Sequence, residues 1–309
     1  MTTVKKYLSL IKFSHTIFAM PFALIGFMLA AGGPIKFYLS YFNQTADETW
    51  AFGENFLPKN PLWLTFLLVL GCMIFARSAA MAFNRYLDRR FDAMNPRTAI
   101  REIPAGILKA DSVLWFTIVC GLLFVVCCWF INLLCFCLSP IALFVILFYS
   151  YTKRFTPLCH LVLGLGLSLA PIGAYLAVTG QFALLPILFS FAVIFWVSGF
   201  DIIYALQDEE FDRNNNLNSI PAWLGKVKGL RVSELLHVLS AACVIIAGVY
   251  GHFHWLYWGG VAIFVSMLVY QHSVVKPTDL RRVNLAFMTA NGIASVVFAV
   301  FVISDILVF

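Results

Sequence analysis

The chain of 309 residues is 61% hydrophobic and only 12% charged, and its mean hydropathy is strongly positive. Soluble domains carry about 25% charged residues and about 45–50% apolar ones, so this composition excludes a soluble globular protein. The net charge of +6 does not indicate a nucleic-acid partner, because the basic loop residues gather on one side of the membrane topology described below.

Apolar runs long enough to cross about 30 Å of hydrocarbon recur along the chain. They are continuous rather than alternating, which predicts helices and excludes a transmembrane barrel. The sequence therefore predicts an all-α, polytopic membrane protein in which residues 1–309 form one domain, a bundle of nine transmembrane helices. The nine runs are residues 10–31, 61–83, 111–131, 133–151, 160–179, 183–203, 233–251, 255–271 and 285–307.

The first run resembles a secretory signal, since Lys5 and Lys6 precede it and small residues end it. Its length and the interruption by Pro21 favour a retained transmembrane helix instead. Residues 32–60 follow as a predicted external insertion that contains no interpretable motif.

The distribution of basic residues predicts the orientation of the bundle. With the N-terminus inside, Lys36 and Lys59 are the only basic loop residues on the external side. This arrangement predicts an inner (cytoplasmic) membrane protein with a cytoplasmic N-terminus and an external C-terminus. The longest internal segments, 84–110 and 204–232, are rich in Asn, Pro and Gly and are predicted to form cytoplasmic cap loops.

Two polar stripes mark the internal ends of the second and sixth runs. Asn84, Asp88 and Asp92 recur every four residues, so on a helix they share one face. The second stripe has the spacing i, i+3, i+7 and i+11, which again predicts one helical face; it consists of Asp201, Tyr204, Asp208 and Asp212. Four predicted spans separate the stripes, and equivalent aspartates are 120 residues apart. Both stripes are therefore expected on the same side of the membrane, as in a parallel repeat.

The stripes indicate a metal site. Five carboxylates in one pocket would repel one another unless cations lay between them. The candidate ligands are all oxygens and no histidine or cysteine has ligand spacing, which selects a hard ion, magnesium first. Basic residues beside such a cluster indicate a polyanionic ligand such as a diphosphate. These residues are Arg85, Arg89, Arg97, Arg101, Lys153 and Arg154.

A diphosphate held at the mouth of an apolar bundle implies a substrate with a long hydrophobic tail. The chain contains 31 Phe, 11 Tyr and 8 Trp residues, so a prenyl chain could lie within the bundle or extend into lipid. Magnesium would stabilise the leaving pyrophosphate, and aromatic faces would shield the allylic cation from water.

Four sequence motifs carry a family resemblance. The strings NRYLDRRFD, NPRTAIREIPAG, YSYTKRFT and DIIYALQDEEFD occur in this order, and together they resemble the UbiA family of intramembrane aromatic prenyltransferases. The resemblance covers the whole chain except residues 32–60. It implies Mg²⁺-dependent transfer from a polyprenyl diphosphate to a small aromatic acid in quinone biosynthesis. The favoured acceptor is 4-hydroxybenzoate and the alternative is a hydroxynaphthoate. The protein is expected to contact the lipid bilayer, and neither a nucleic acid nor an obligate protein partner is expected.

The resemblance also implies roles for individual residues, with the site on the cytoplasmic side. Asn84, Asp88 and Asp92 would hold one magnesium ion, and Asp208 and Asp212 a second. Asp201 would act on the aromatic substrate or on the metals. The implied catalytic residues are Asp88, Asp92, Asp201, Asp208, Asp212, Lys153 and Arg154. The implied substrate-binding residues are Arg85, Arg97, Arg101, Tyr149 and Tyr204.

Several of these residues have a plain structural alternative. One DxxxD pattern at a helix end is typical of a solvated cap, although its duplication here favours metal binding. Tyr149 is equally an interfacial aromatic, and without the family resemblance Lys153 and Arg154 are better interpreted as positive-inside markers. The six histidines fall outside the motifs and are expected at interfacial or core positions, which leaves no general base. The glycines of 163–173 are expected at close helix contacts.

A secondary transporter is the competing class, since it also combines repeated helices with acids in the membrane. Transporters place such acids near the midplane at broken helices, whereas both stripes here lie at helix ends. A haem-farnesylating or chlorin-prenylating enzyme is disfavoured because nothing in the sequence indicates a tetrapyrrole pocket. A metal channel and a structural quinone-binding protein fit the composition but not the paired acidic stripes and basic caps.

Overall fold

The computed structural model describes residues 3–11, 19–31 and 60–309. The described part is helical and contains no β-strand, which confirms the all-α class. The insertion predicted at 32–60 lies outside the described residues except for Asn60, as do residues 12–18 of the first predicted helix.

Helices of very different length follow one another along the described chain. They are α1 Thr3–Leu10, α2 Met20–Ala31, α3 Leu62–Met94, α4 Ala110–Ile131, α5 Leu133–Thr152, α6 Cys159–Thr179, α7 Leu184–Ala205, α8 Glu209–Asn214, α9 Ile220–Tyr250, α10 Trp255–Val274 and α11 Asn291–Val308. A 3-10 turn, Leu206–Asp208, joins α7 to α8, and a π-helical turn, Leu285–Ala290, precedes α11.

Within the described ranges, seven helical stretches are long and apolar enough to cross a membrane. They are α3, α4, α5, α6, the continuous α7–α8 stretch, α9, and α11 with its π-helical turn. Helix α2 has 12 residues, and α10 has 20 but ends in the polar pair Gln271 and His272. A polytopic membrane protein is confirmed, and the count of nine spans stays a prediction.

Helix α3 carries the first polar stripe beyond the apolar layer. Its 33 residues correspond to about 50 Å at a rise of about 1.5 Å per residue, against about 30 Å of hydrocarbon. The stripe from Asn84 to Asp92 therefore extends the transmembrane helix without a break. The helix ends at Met94 because Pro96 disfavours helical geometry at Asn95, whose backbone is extended (φ −89°, ψ 116°).

The second stripe does not form the single α-helical face that its spacing predicted. Helix α7 ends at Ala205, and the 3-10 turn intervenes before α8 begins at Glu209. The Gln207 side chain donates a hydrogen bond to the Tyr204 carbonyl (3.2 Å) within this tighter winding. A 3-10 turn has about three residues per turn rather than 3.6, so it rotates Asp208 and Asp212 relative to Asp201.

The bundle is built around α7, which packs against α6 and α9. Fully buried aromatic residues from four helices form the main core; they are Phe22, Phe189, Trp196, Tyr257, Phe264 and Phe298. The α6–α7 contact is very close at Gly164, where an added Cβ would lie 2.5 Å from the Ile194 carbonyl oxygen. The predicted packing role of the glycines in 163–173 is thus confirmed at Gly164.

Candidate active site

A cavity of about 260 Å³ lies where the polar ends of α3 and α7–α8 meet. The turns of 95–109 and the adjoining ends of α5 and α6 complete its wall. Every member of the two predicted stripes lines it: Asn84, Asp88, Asp92, Asp201, Tyr204, Asp208 and Asp212. The fold therefore brings both stripes to one cavity, as the sequence spacing predicted.

Each aspartate of the first stripe is paired with an arginine from another segment. The Asp88 carboxylate accepts a hydrogen bond from Arg154 (2.9 Å) on Oδ1 and from the Asn84 amide (3.1 Å) on Oδ2. Asp92 accepts one from Arg101 on Oδ1 (2.6 Å), and its buried Oδ2 has no hydrogen-bond partner. The carboxylates are held in place, and one Asp92 oxygen remains available as a ligand.

The second stripe is neutralised in the same way. Arg97 forms a two-pronged ion pair with Asp208 and also donates to the Tyr204 hydroxyl (2.8 Å). The Lys153 ammonium nitrogen lies 2.7 Å from Oδ1 of the fully buried Asp212. The two caps predicted from sequence therefore contribute charged groups to the same cavity.

These ion pairs keep both cations charged. Burial lowers the pKa of Lys153, but the charge and hydrogen bond of Asp212 together with the charge of Asp208 and other neighbours outweigh this effect, so the pKa lies above its ordinary value. Burial likewise lowers the pKa of Arg97, and the hydrogen bonds and electrostatic attraction of Asp208 and Tyr204 together raise it by more. Both side chains are protonated at neutral pH, as ligands for a phosphate group must be.

Two further arginines line the cavity and form no salt bridge with any residue in the described part of the chain. They are Arg77 and Arg85. Arg77 lies in the apolar part of α3, about two helical turns before Asn84, and each arginine has a buried Nε without a hydrogen-bond partner. A buried N–H group without a hydrogen-bond partner is costly, so these two arginines favour a bound anion. Arg85 was predicted from the sequence and Arg77 was not; the signal for Arg77 is a single charged residue inside a predicted transmembrane span.

The charges of the cavity wall balance without a metal. Five aspartates line it together with five arginine or lysine side chains. In the described ranges, no group of three or more acidic, histidine or cysteine side chains is close enough to form a ready metal site. The donor set nevertheless fits magnesium, because it consists of carboxylate and amide oxygens and includes the unpartnered Oδ2 of Asp92.

Asp201 pairs with a residue that the sequence analysis did not assign to the site. Nδ1 of His160, at the start of α6, lies 2.7 Å from Oδ2 of Asp201, and both residues line the cavity. His160 is buried, as expected of a core histidine, but its contact with a motif aspartate was not foreseen. The pairing depends on how α6 crosses α7, which helical periodicity does not specify.

The other predicted residues take different positions. Tyr149 and Lys153 line the cavity. Arg154 does not line it, although it contacts Asp88, and its guanidinium carbon lies 5.1 Å from the centre of the Tyr151 ring. Arg89 donates to the Tyr86 carbonyl oxygen (2.6 Å) and is not part of the lining.

A second, apolar cavity of about 350 Å³ adjoins the polar one. It lies among α3, α4, α5 and α6 and is lined mainly by aliphatic side chains, with Cys72, Cys128 and Cys135 among them. Residues from three helices line both cavities: Arg77, Tyr149, Leu163 and Leu167. Together the cavities form a site with a charged end and an apolar end.

Comparison with known proteins identifies the family. The UbiA prenyltransferase family matches residues 19–293, which is most of the chain. The chain belongs to this family. It is therefore a prenyltransferase embedded in a membrane, and the resemblance of its motifs is confirmed.

Relatives and solved structures agree with this assignment. The 4-hydroxybenzoate octaprenyltransferase of Francisella tularensis subsp. tularensis (strain WY96-3418) is 30% identical over 235 residues, covering 76% of this chain and 81% of the relative. The enzyme of the same name from Tolumonas auensis (strain DSM 9187 / NBRC 110442 / TA 4) is 30% identical over 234 residues, covering 75% and 82%.

A UbiA homolog from Aeropyrum pernix K1, solved in its apo form, has a TM-score of 0.74 at 25% identity, with 95% and 97% of the two chains covered. A homolog from Archaeoglobus fulgidus bound to DMAPP and Mg²⁺ has a TM-score of 0.70 at 18% identity, with 98% and 100% covered. The second similarity concerns the fold alone.

Proposed function

We propose that this UbiA family member transfers a polyprenyl group from polyprenyl diphosphate to 4-hydroxybenzoate, in a magnesium-dependent reaction at the cytoplasmic face of the inner membrane. The observation that carries the proposal is the junction of the charged cavity with the apolar one at Arg77 and Tyr149. The relatives named for octaprenyl transfer to 4-hydroxybenzoate support this acceptor, and the basic residues of the caps support the orientation.

The diphosphate would lie in the charged cavity. Arg85 forms no salt bridge within the described residues, and Arg97, Arg101 and Lys153 can exchange their carboxylate partners for phosphate oxygens. Asn84, Asp88 and Asp92 would then hold one magnesium ion, and Asp208 and Asp212 a second. Bound magnesium would neutralise the diphosphate and stabilise the leaving pyrophosphate. The Archaeoglobus fulgidus homolog, solved with DMAPP and Mg²⁺, supports this arrangement.

The prenyl tail would enter the apolar cavity, which places its first carbon near the junction. Tyr149 and Leu163 lie there and exclude water from a developing allylic cation. The cavity of about 350 Å³ holds only part of a long polyprenyl chain, so the remainder would extend toward lipid.

The aromatic acid would occupy the junction itself. Arg77, whose buried Nε has no hydrogen-bond partner, offers its guanidinium for the carboxylate of the acceptor. Asp201 would accept a hydrogen bond from the acceptor hydroxyl, which increases the electron density at the neighbouring ring carbon. That carbon forms a bond to C1 of the prenyl group while the C1–O bond breaks, the pyrophosphate leaves with the electron pair, and the ring proton is lost afterwards.

The test is a product analysis in membranes that contain the protein. Labelled polyprenyl diphosphate, Mg²⁺ and a panel of hydroxybenzoates and hydroxynaphthoates are supplied, and prenylated 4-hydroxybenzoate is expected. A prenylated hydroxynaphthoate as the only product would replace the proposed acceptor with the alternative. No prenylated aromatic with any acceptor would overturn the function.

Two variants test the site in the same assay. Asp88→Asn and Asp208→Asn should each abolish transfer while expression is retained, because each removes a charged oxygen ligand. Asp279→Asn is the matched control, since Asp279 pairs with Arg281 in a loop outside the cavity. Persistent turnover in both cavity variants would show that the roles assigned to the stripes are wrong.

A further inference from the structure

The contact between His160 and Asp201 is built into the wall of the charged cavity. The His160 side chain is 3% exposed, and the Asp201 side chain is 24% exposed and lines the cavity. One carboxylate oxygen is thus fixed by the histidine, while the other remains accessible to a bound molecule.

The second nitrogen of the imidazole defines which atom carries the proton. The backbone N–H of Ile220 points at Nε2 of His160 (3.3 Å), and a backbone amide can only donate. Nε2 is therefore an acceptor and the proton resides on Nδ1. Nδ1–H donates to Oδ2 of Asp201, which fixes the orientation of the carboxylate.

The backbone holds the two residues together. Gly164, one turn after His160, allows α6 to approach the backbone of α7 near Ile194. Ser198, nearly one turn before Asp201, donates a hydrogen bond to the His160 carbonyl oxygen (3.1 Å). Two independent contacts therefore fix the position from which the imidazole reaches the aspartate.

The pair lies close to the junction of the two cavities, because Leu163, three residues after His160 on α6, lines both of them. We propose that His160 is a positioning residue for the aromatic acceptor: its Nδ1–H holds the Asp201 carboxylate in a fixed orientation, in which it accepts a hydrogen bond from the hydroxyl of the aromatic acid. This inference rests on the proposed function, which places that hydroxyl at Asp201.

Two substitutions separate this role from a structural one. The Asn side chain places its amide nitrogen near the position of Nδ1, so His160→Asn retains the donor to Asp201 and loses the acceptor for Ile220. His160→Gln places its oxygen near Nε2, so it retains the acceptor for Ile220 and loses the donor to Asp201. The same two substitutions at His237 are matched controls, because His237 is a buried histidine of α9 outside both cavities.

Steady-state kinetics give the expected result. His160→Gln should lower kcat/KM for the aromatic acceptor by about 10- to 100-fold and leave the KM for polyprenyl diphosphate within about twofold. His160→Asn should stay within about threefold of the unmodified protein, because a hydrogen bond to a charged group is retained. In an Asp201→Asn background, His160→Gln should have no additional effect, since its partner is already changed.

The opposite order of the two variants would overturn the inference, because His160 would then serve the start of α9 and not Asp201. Equal loss in both variants, or equal loss in the His237 controls, would also overturn it. Failure of the proposed function is a separate result, since the unmodified protein would then prenylate no aromatic acid.

Discussion

The ion pair between Lys153 and Asp212 allows a quantitative test of the site. Asp212 has no exposed surface, and its carboxylate contacts the Lys153 ammonium (2.7 Å) and the Ser219 hydroxyl (3.0 Å). Lys153→Met keeps an unbranched side chain of similar length and removes the charge. The variant would leave a buried carboxylate with a single neutral donor among its described contacts.

The structure predicts a large effect. Two charges 2.7 Å apart attract by about 6 kcal/mol at an effective dielectric constant of about 20. Desolvation of both groups offsets part of this attraction, so removing one partner of a buried pair costs about 3–5 kcal/mol. The free energy of unfolding of Lys153→Met should therefore fall by about 3–5 kcal/mol in the absence of magnesium.

Equilibrium unfolding in denaturing detergent measures this free energy, and Lys226→Met provides the control. The Lys226 ammonium lies 3.7 Å from Glu209, and its side chain is 38% exposed, so its loss should cost about 0–1 kcal/mol. Adding Asp212→Asn to Lys153→Met should restore most of the lost stability. Equal unfolding free energies for the Lys153 and Lys226 variants would refute the reasoning.

Further predictions concern the cavity and the helix contacts. Mg²⁺ alone should raise the melting temperature little, because protein cations already neutralise the carboxylates. Mg²⁺ and polyprenyl diphosphate together should raise the melting temperature by more than the sum of their separate effects. Additive shifts in melting temperature would argue against a shared site. Arg77→Gln should raise the KM for 4-hydroxybenzoate by about 10- to 100-fold without changing that for polyprenyl diphosphate, and Arg90→Gln, at an exposed position of α3, should change neither. Gly164→Ala should lower both thermal stability and turnover. Gly173→Ala on the same helix should retain stability, because an added Cβ there meets nothing within 4 Å. Equal melting temperatures of the two variants would contradict the close α6–α7 contact.

Some parts of the site were predictable because they depend on spacing along one chain segment. Asn84, Asp88 and Asp92 share a face through helical periodicity alone, and the structure places all three in the cavity wall. The second stripe was predicted less well. Its residues reach the cavity, but the 3-10 turn at Leu206–Asp208 replaces part of the expected α-helix.

Other parts required the packing of distant segments. Arg97 and Asp208 are 111 residues apart, and His160 and Asp201 are 41 apart. Which basic residue meets which aspartate depends on the rotation and crossing of the helices. Arg77 was missed for a related reason, because its importance follows from the absence of an acidic partner among the described residues, and this becomes visible only in three dimensions.

The amino-acid sequence determined that the chain resides in a membrane, that it is helical and that two acidic stripes follow apolar runs. These properties depend on composition and on local periodicity, which an isolated segment already possesses. The tertiary structure decided that every cavity aspartate has a basic or imidazole partner and that the charged and apolar cavities adjoin at Arg77 and Tyr149. Both outcomes arise from helix packing, since close contacts such as that at Gly164 fix the relative positions of groups far apart in the chain.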